Sequence, residues 1–525
     1  MTRDPSTGRP ALRRTALRVA ASAAVAALTL GLLSACFLAP NPRPTSTPYP
    51  EEVTAGLEPY YQQTLVWSGC GDGMQCTTAT APLDWDAPDS ADDIELALVR
   101  HLASGTPQGS LFINPGGPGA SGYDFVHDSL DFAVDSDIQA AFDVVGWDPR
   151  GVGRSSAVQC LDGTDLDEYL FGDSDAPVDS PEYVAETTKE TAEFVDACTE
   201  RTGRLLEFVD TASTVHDLDM LRAIVGDRRL NYLGYSYGSD IGAQYADRFP
   251  DKVGRLVLDG ATDSTLDEFD VSLAQTAAFG DALRAYLTDC LAGSDCPFAG
   301  ETVDESIDDI AVLLKRLESA PLRGDDGREL NASYLSTAIQ SALYSEETWP
   351  YLSDAFTEIK AGRSRTAFLL ADSYVDRDED GTYSSNFFEA FIAITCVDYP
   401  VETDPAVLAE QRDEIAAADP ISEPDDLSAL GDLTCQTWPY RFRGQLAPVT
   451  GAGAAPIVIL GTTGDPATPY QWAQALSTQL ESAVLVTYVG EGHLAYDERD
   501  PCIVKAVDDY LIRGIAPDDG LTCTP

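Results

Sequence analysis

Short apolar runs recur along the first half of the chain and again near its end, and stretches with helical spacing of apolar positions lie between them. We predict strands at 94–102, 110–114, 142–147, 231–234, 253–259, 457–460 and 484–488. Helices are predicted at 211–225 and 503–512. Alternation of this kind is typical of a mostly parallel sheet covered by helices on both faces. The predicted fold class is therefore α/β.

The pattern changes in the middle of the chain, where helical periodicity continues without strands. Helices are predicted at 271–291, 303–317 and 335–343, and acidic loops such as 376–380 separate them. We interpret residues 263–445 as a helical cap inserted into the sheet domain. The sheet domain then consists of residues 59–262 and 446–525. An independent second domain of unrelated role is the alternative interpretation of the insertion.

The N-terminus has the features of an export signal. A basic region precedes an alanine-rich apolar stretch at 19–33, which is too short to span a bilayer comfortably. The stretch ends in Leu33-Ser34-Ala35-Cys36, which resembles a bacterial lipobox, so we predict an export signal at 1–36 and lipidation at Cys36. Arg13-Arg14 weakly resembles a twin-arginine signal. The proline-rich residues 37–58 are predicted to form an extended tether.

Two alternatives to lipidation stay open, an uncleaved membrane anchor that runs on to Ala39 and a plain secretory signal. All three interpretations place the folded part outside the cytoplasm, as a cell-surface lipoprotein or a secreted protein. With lipidation, the membrane is contacted only through the N-terminal lipid.

The net charge of the chain excludes anionic partners. The chain has 33 Lys and Arg against 87 Asp and Glu, a formal net charge of −54. Such a surface repels nucleic acid and anionic lipid headgroups. Most of these acids are expected to be solvated surface residues that keep the protein soluble.

The cysteines agree with export. There are 11 of them, and the ten that remain after Cys36 allow about 945 full pairings. An oxidising compartment favours disulfides over a zinc site, and no C-x-x-C motif or histidine cluster is found among them. The simplest expectation pairs sequence neighbours: Cys70–Cys76, Cys160–Cys198, Cys290–Cys296, Cys396–Cys435 and Cys502–Cys523.

A candidate nucleophile lies where a predicted strand becomes a helix. Gly234-Tyr235-Ser236-Tyr237-Gly238 matches G-x-S-x-G, in which the glycines allow close backbone crossing and the serine is lifted clear on a strained turn. A glycine-bounded turn that contains serine by chance is the alternative. The motif therefore needs a base, an acid and an oxyanion hole elsewhere in the chain.

The base is sought among only four histidines: His101, His127, His216 and His493. The first three fall in a predicted strand or in helices, whereas His493 follows the last predicted strand in Gly490-Glu491-Gly492-His493. Loops at the carboxyl ends of strands are where open α/β sheets place their chemistry. An imidazole there can take the serine proton near neutral pH and return it to the leaving group.

Asp465 is the candidate acid because it lies in the loop one strand before His493. The order Ser236, Asp465, His493 is the serine–acid–histidine order of α/β-hydrolases. The acid would orient the imidazole and stabilise its cation. Asp259, at the end of the strand after Ser236, is the competing candidate.

The oxyanion hole is expected in Asn114-Pro115-Gly116-Gly117-Pro118-Gly119, which follows the strand at 110–114. Gly117 and Tyr237 would donate their backbone N–H groups. A glycine–proline turn without a catalytic role is the alternative. A phosphate loop is excluded because the Lys-Ser/Thr that it needs is absent.

Five motifs together resemble the secreted tripeptidyl aminopeptidases of actinobacteria, which belong with the prolyl iminopeptidase-like α/β-hydrolases. The motifs are NPGGPGASG, GWDPRGVGRS, GYSYGS, GTTGDPATP and GEGH. They cover roughly residues 60–262 and 446–525. Where prolyl iminopeptidases have histidine before GGPG, this chain has Asn114 and Pro115, as the tripeptidyl relatives do. The resemblance implies an α/β-hydrolase fold and serine exopeptidase activity on free N-termini.

The expected function is the release of short peptides, tripeptides included, from free N-termini through an acyl-enzyme on Ser236, without metal or organic cofactor. A carboxylesterase or lipase-like hydrolase and a non-catalytic lipoprotein of the same fold are the alternatives. The cap is expected to cover the site and to supply a carboxylate for the substrate amine, since an unpaired buried charge is costly. Glu268, Glu346 and Glu347 are the candidates for that carboxylate.

Overall fold

A computed structural model of the chain describes residues 44–525 except 89, 173, 175, 178–179, 422–431 and 497–499. The predicted export signal, the lipidation site Cys36 and the first part of the predicted tether lie outside the described residues. In the part of the chain that the structure does describe, no helix is both long enough and apolar enough to cross a membrane.

A ten-stranded sheet organises the fold, in the order β1-β2-β3-β5-β4-β6-β7-β10-β11-β12. Its strands are β1 (Ser68–Gly71), β2 (Met74–Ala81), β3 (Ile94–His101), β4 (Ser110–Asn114), β5 (Asp143–Trp147), β6 (Leu230–Tyr235), β7 (Val253–Asp259), β10 (Ile457–Gly464), β11 (Ala483–Glu491) and β12 (Leu521–Cys523). All neighbours from β5 to β12 pair in parallel, and β1, β2 and β3 form an antiparallel edge that joins β5. The short strands β8 (Leu322–Arg323) and β9 (Glu329–Leu330) form a separate hairpin. The predicted α/β class is confirmed.

Eighteen α-helices are found in the described part of the chain. They are α1 (Glu58–Tyr61), α2 (Gly122–Asp128), α3 (Leu130–Ala133), α4 (Ser136–Ala141), α5 (Thr164–Phe171), α6 (Pro181–Thr202), α7 (Thr211–Val225), α8 (Tyr237–Arg248), α9 (Glu268–Ala292), α10 (Val303–Ser319), α11 (Ala332–Leu343), α12 (Trp349–Lys360), α13 (Arg365–Tyr374), α14 (Phe387–Asp398), α15 (Pro405–Ala418), α16 (Leu433–Thr437), α17 (Tyr470–Gln479) and α18 (Pro501–Arg513). Helix α7 has the predicted bounds because the Asp210 side chain caps its first turn and Gly226, in the left-handed region, ends it.

The central strands are buried on both faces, which explains their continuous apolar sequence. In β7, Leu256 and Leu258 point into one hydrophobic cluster and Val257 into another on the opposite face, and all three are fully buried. This alternation follows from the two-residue period of a strand. Helices α7 and α8 contribute to the first cluster, and α2 and α18 contribute to the second.

The predicted cap region contains a hydrophobic core of its own. Helices α9 to α13 supply it through residues such as Tyr286, Ile310, Leu335 and Phe356, and Phe171 of α5 joins them. Helix α14 and Cys435, however, pack into the main sheet-domain cluster. The span 263–445 therefore contains elements of both cores, since its last helices return to the sheet domain.

Residues 45–58, which we predicted as part of an extended tether, lie against the sheet domain instead. Ser46 donates its backbone N–H to Leu65 O at 3.0 Å, and Tyr49 does the same to Ala223 O at 2.8 Å. Glu51 forms an ion pair with the buried Arg222 at 2.7 Å. The prolines signalled an extended backbone, and these contacts show that the described part of this backbone is attached to the core.

Five disulfides join the cysteines in the neighbour pairing expected from the sequence: Cys70–Cys76, Cys160–Cys198, Cys290–Cys296, Cys396–Cys435 and Cys502–Cys523. The Cys396–Cys435 bridge connects α14 to α16, and Cys502–Cys523 connects α18 to β12. Both therefore fix peripheral elements to the sheet domain.

Candidate active site

Ser236 occupies the sharp turn between β6 and α8. Its backbone lies in the left-handed half of conformational space, at φ +55° and ψ −125°. A residue other than glycine in such a conformation costs about 1–3 kcal/mol and persists only where the surroundings enforce it. Here the Ser236 N–H donates to Asp259 O of β7 at 2.8 Å. The observed geometry is that of the predicted strained turn.

The two glycines that flank Ser236 are required by close backbone contacts. A Cβ atom at Gly234 would collide with the carbonyl oxygen of Gly238. A Cβ atom at Gly238 would lie 2.7 Å from Asn114 O, which is closer than real Cβ contacts come. Strand β6, helix α8 and the end of β4 can therefore approach one another this closely only because positions 234 and 238 carry no side chain.

His493 and Asp465 are in direct contact. Nδ1 of His493 lies 2.9 Å from each carboxylate oxygen of Asp465. The His493 side chain is 9% exposed and that of Asp465 is fully buried. The loops after β10 and β11 place both residues at the carboxyl edge of the sheet, where the parallel register brings Gly464 opposite Glu491.

The Asp465 carboxylate is held by four donors besides the imidazole. Oδ1 accepts the N–H groups of Ala467 and Thr468 at 2.9 and 2.8 Å, and Oδ2 accepts the Thr468 hydroxyl at 2.9 Å and the Leu494 N–H at 3.2 Å. Thr468 is a site residue that the sequence reasoning did not identify. The signal was present, because Thr468 lies three residues after Asp465 in a turn.

Two opposing effects act on the pKa of His493. Burial disfavours the imidazolium and lowers the pKa, while the attraction and hydrogen bond of Asp465 raise it, and the net result is a pKa above the ordinary histidine value. Asp465 thus stabilises the protonated form of the imidazole. A base that accepts a proton during a reaction needs such stabilisation.

Asp259, the competing candidate acid, has a different set of partners. Its carboxylate accepts the backbone N–H groups of Ala495 and Tyr496 at 2.8–3.1 Å. Burial raises the pKa of Asp259 to about 6. It therefore supports the loop that follows His493, and the carboxylate that contacts the imidazole is that of Asp465.

The loop after β4 packs directly on the Ser236 turn. A Cβ atom at Gly116 would lie 2.8 Å from Ser236 Cβ and 3.1 Å from Tyr237 N, and Gly116, Gly117 and Gly119 all have positive φ. The loop thus brings the backbone of Gly116 beside the N–H of Tyr237. The closest approach is made by Gly116, which the sequence reasoning did not single out.

Ser236 and His493 both lie against the end of β7. The Ser236 N–H is hydrogen-bonded to Asp259 O, and the next residue, Gly260, has positive φ and lies close to the imidazole. A Cβ atom at Gly260 would be 3.1 Å from Cε1 of His493. The remaining histidines have other neighbours: His127 contacts Asp128, and His216 stacks on Trp85.

The cap region contacts the histidine loop through Tyr344, which the sequence reasoning missed. The His493 N–H donates to Tyr344 O at 2.8 Å, and the two rings meet edge to face at 5.4 Å. Gln275 of α9 also donates to Ala467 O at 2.7 Å, next to the acid loop. The insertion therefore contacts the loops that hold Asp465 and His493.

A second group of acids borders a cavity of about 300 Å³ next to this face. Glu268 of α9 and Asp432 line it together with Phe388 and Phe391 of α14. Burial, followed by the repulsion and hydrogen bond of Asp432, raises the pKa of Glu268 to about 8. The backbone of α14 touches Gly119, so the cavity adjoins the loop after β4.

Of the three predicted amine-binding acids, only Glu268 lines this cavity. Glu346 and Glu347 are exposed and lie in the turn before α12. Two groups of described residues have metal-ligand spacing, but each contains a disulfide pair, Cys396–Cys435 or Cys502–Cys523, so no thiolate is available there.

Comparison with known proteins gives matches along most of the chain. Residues 109–344 match the family model described as alpha/beta hydrolase fold, and residues 425–523 match the model described as TAP-like protein.

Three curated relatives align over most of their own length. Serine protease Hip1 of Mycobacterium tuberculosis H37Rv is 37% identical over 487 residues, which cover 89% of this chain and 92% of the relative. Carboxylesterase B of the same strain is 35% identical over 86% of both chains. The tripeptidyl aminopeptidase of Streptomyces lividans is 31% identical over 86% of this chain and 84% of the relative.

These matches confirm the resemblance read from the five motifs and the α/β-hydrolase fold that it implied. The chain is a serine hydrolase that belongs to the tripeptidyl aminopeptidase-like family of α/β-hydrolases.

Proposed function

We propose that this protein is an exported serine exopeptidase that releases short peptides, tripeptides included, from substrates with a free N-terminus. The observation that carries the proposal is the strained Ser236 turn beside an imidazole whose Nδ1 is held by a buried carboxylate. The names of the relatives, serine protease and tripeptidyl aminopeptidase, support peptide substrates.

In the proposed mechanism, Ser236 Oγ attacks the scissile carbonyl while His493 Nε2 takes its proton. Asp465 keeps the other imidazole nitrogen protonated and stabilises the cation that forms. The N–H groups of Gly117 and Tyr237 stabilise the oxyanion, which is the step that such preorganised donors accelerate most. His493 then protonates the leaving amine, and water attacks the acyl-enzyme with His493 again as base.

The cavity that Glu268 and Asp432 line is proposed to bind the substrate α-amine. Burial and the neighbouring Asp432 raise the pKa of Glu268 to about 8, so the protonated form of Glu268 is favoured near neutral pH. An ammonium group would replace this proton and favour two ionised carboxylates. The aromatic side chains of Phe388 and Phe391 provide the apolar wall for the first residues of the peptide.

Export and lipidation at Cys36 complete the proposal. The five disulfides support an oxidising compartment, in which such bonds persist. Metabolic labelling with a fatty acid tests the anchor, since the label should be lost in Cys36→Ala. Label that survives this change would contradict lipidation at Cys36.

A carboxylesterase is the second candidate, because a relative that bears this name is 35% identical along most of both chains. Ester hydrolysis uses the same nucleophile and oxyanion hole, so the two functions differ in what binds the acyl group. A free amine matters to the exopeptidase and has no role in a simple short-chain ester.

One substrate panel tests the function. Peptide amides with two or three residues before the scissile bond are compared with their N-acetylated forms and with short-chain p-nitrophenyl esters, using wild-type protein and Ser236→Ala. We expect cleavage of the free-amine peptides to depend on Ser236 and to exceed that of the acetylated forms by about 10- to 100-fold, the effect of one hydrogen bond to a charged group. Equal rates on both peptides, or faster rates on the esters, would favour the esterase.

A further inference from the structure

A second and larger cavity, of about 720 Å³, runs beside α8. We call it the α8 groove, and its lining includes Pro118, Tyr237, Asp240, Gln244, Thr262 and Asp398. The α8 residues follow one another at helical spacing, so the groove follows one face of this helix. From Tyr237 the groove continues outward to Arg248, a distance of about 16 Å along the helix at ~1.5 Å per residue.

The inner end of the groove lies at the proposed oxyanion hole. Tyr237 follows Ser236 directly, and Pro118 follows Gly117. Asp240 lies one helical turn beyond Tyr237, or about 4–5 Å along the axis. A side chain that enters from the scissile bond and has the length of a lysine can therefore reach the Asp240 carboxylate.

Asp240 carries an oxygen without a partner. Oδ2 accepts a hydrogen bond from Gln244 Nε2 at 2.8 Å, whereas the buried Oδ1 has no hydrogen-bond partner among the described residues. A buried carboxylate oxygen of this kind is costly unless a donor or a cation reaches it. Because Asp240 lines the groove, that donor can be a ligand.

Asp398 adds a second carboxyl group at the same end of the groove. It accepts the N–H and the hydroxyl of Thr211 at 2.9 and 2.6 Å, and the Thr211 hydroxyl also contacts the hydroxyl of Tyr237. None of the ion pairs in the described part of the chain involves Asp240 or Asp398. Burial raises the pKa of both acids, that of Asp240 to about 6.

Two of the three arginines that line the groove are occupied elsewhere, and the third, Arg248, lies at the outer end of the groove, about 12 Å along the helix from Asp240. Arg441 donates to the backbone carbonyl groups of Gln436, Trp438 and Tyr440, and Arg443 forms an ion pair with Glu207. These guanidinium groups therefore do not neutralise the two acids at the inner end.

We infer that the α8 groove is a specificity subsite that takes the lysine or arginine side chain of a residue next to the scissile bond, with Asp240 as its main partner. This inference rests on the proposed function, and it is separate from the α-amine cavity at Glu268.

The first test compares wild-type rates on free-amine peptide amides in which one residue beside the scissile bond is lysine or its uncharged analogue norleucine. We expect kcat/KM for lysine to be at least about 10-fold higher at one of the two positions, the effect of a charged hydrogen bond. Equal values at both positions overturn the inference, and this comparison needs no variant.

The second test uses Asp240→Asn, with Asp354→Asn as the matched control. Asp354 is exposed on α12 and carries the same charge. The preference for lysine over norleucine should fall about 10-fold in Asp240→Asn, and it should persist in Asp354→Asn. Thermal unfolding and fluorophosphonate labelling establish that each variant is folded.

The outcomes distinguish a basic side chain of the substrate from its α-amine as the cation that the groove binds. If Asp240→Asn weakens lysine and norleucine peptides equally and removes the preference for free over acetylated N-termini, the groove binds the α-amine and the inference is wrong. If the norleucine peptide is cleaved through Ser236 without any lysine preference, the inference fails and the proposed function stands. Cleavage that persists in Ser236→Ala instead refutes the proposed function itself.

Discussion

Replacing Asp465 by asparagine tests the catalytic assignment most directly, because each oxygen of this carboxylate has its own set of hydrogen-bond donors. The oxygen that accepts the N–H groups of Ala467 and Thr468 can be kept as the amide oxygen. The amide nitrogen then faces Nδ1 of His493 and the N–H of Leu494, where only donors were present before.

An amide nitrogen at this position favours the imidazole tautomer that presents an unprotonated Nδ1, which places the proton on Nε2. In that tautomer, Nε2 cannot take the proton of Ser236, so we expect kcat to fall by about 10³- to 10⁴-fold. Because the amide retains the volume and two of the hydrogen bonds, folding should survive. Turnover of a free-amine peptide, normalised to active sites titrated by a fluorophosphonate or to folded protein, measures the effect.

The pH dependence of the residual activity gives an independent readout. Activity needs neutral His493, so kcat/KM declines as pH falls through the pKa of this group, which Asp465 raises above its ordinary value. Without this carboxylate, the burial that lowers the pKa of the imidazole is opposed only by the weaker attraction of Asp259. The acid limb of the profile should therefore move to lower pH in Asp465→Asn.

Asp259→Asn is the matched control, since the same chemical change is made in a neighbouring buried acid. Asp259 supports the backbone of Ala495 and Tyr496, so this variant should lose stability and keep kcat within about 10-fold of wild type. Full activity in Asp465→Asn together with a large loss in Asp259→Asn would refute the assignment of the acid.

Three further changes test other parts of the site. Thr468→Val removes the hydroxyl that donates to Asp465 and should lower kcat by about 10- to 100-fold with little change in KM, measured on the free-amine peptide. Glu268→Gln should raise KM for free-amine peptides by about 10- to 100-fold and leave the acetylated forms unaffected, and an equal loss on both would contradict the amine site. Gly238→Ala places a Cβ atom 2.7 Å from Asn114 O and should lower the free energy of unfolding by about 1–3 kcal/mol, as measured in urea.

The sheet could be predicted from the sequence because its central strands carry a strong local signal. Strands β6 and β10, which precede the loops of Ser236 and Asp465, bury residues on both faces, whereas β11, which precedes the loop of His493, is mostly only partly buried. Parallel pairing through β7 places the three loops at one edge of the sheet. The antiparallel edge of β1 and β2 was missed. Met74–Ala81 contains three threonines and a cysteine, and only three of its eight residues are buried, so it lacks the continuous apolar run of the centre.

The contacts around the site were less accessible to sequence reasoning, because they depend on distant segments. Tyr344 contacts His493 although about 150 residues separate them in the chain, and no local sequence pattern predicts this contact. Helix α14 falls within the span assigned to the cap, yet its residues pack into the core of the sheet domain. Apolar periodicity predicts that a helix has a buried face, but it does not say which of two cores buries it.

The acids show this limit most clearly. The sequence contains 87 Asp and Glu residues, and each of them is expected to be solvated at the surface. The sequence alone does not show which of them are buried. Burial divides them: Asp465 and Asp259 are enclosed by N–H donors, whereas Glu268 and Asp240 line cavities with a carboxyl group nearby or an oxygen left unpaired. Donors that surround a carboxylate stabilise its charge within the protein, so its function is to position a neighbour. A carboxyl group at a cavity that has fewer such donors can be stabilised further by a cationic ligand. The proposed binding acids are therefore those that line the cavities, and the positioning acids are those in the loops.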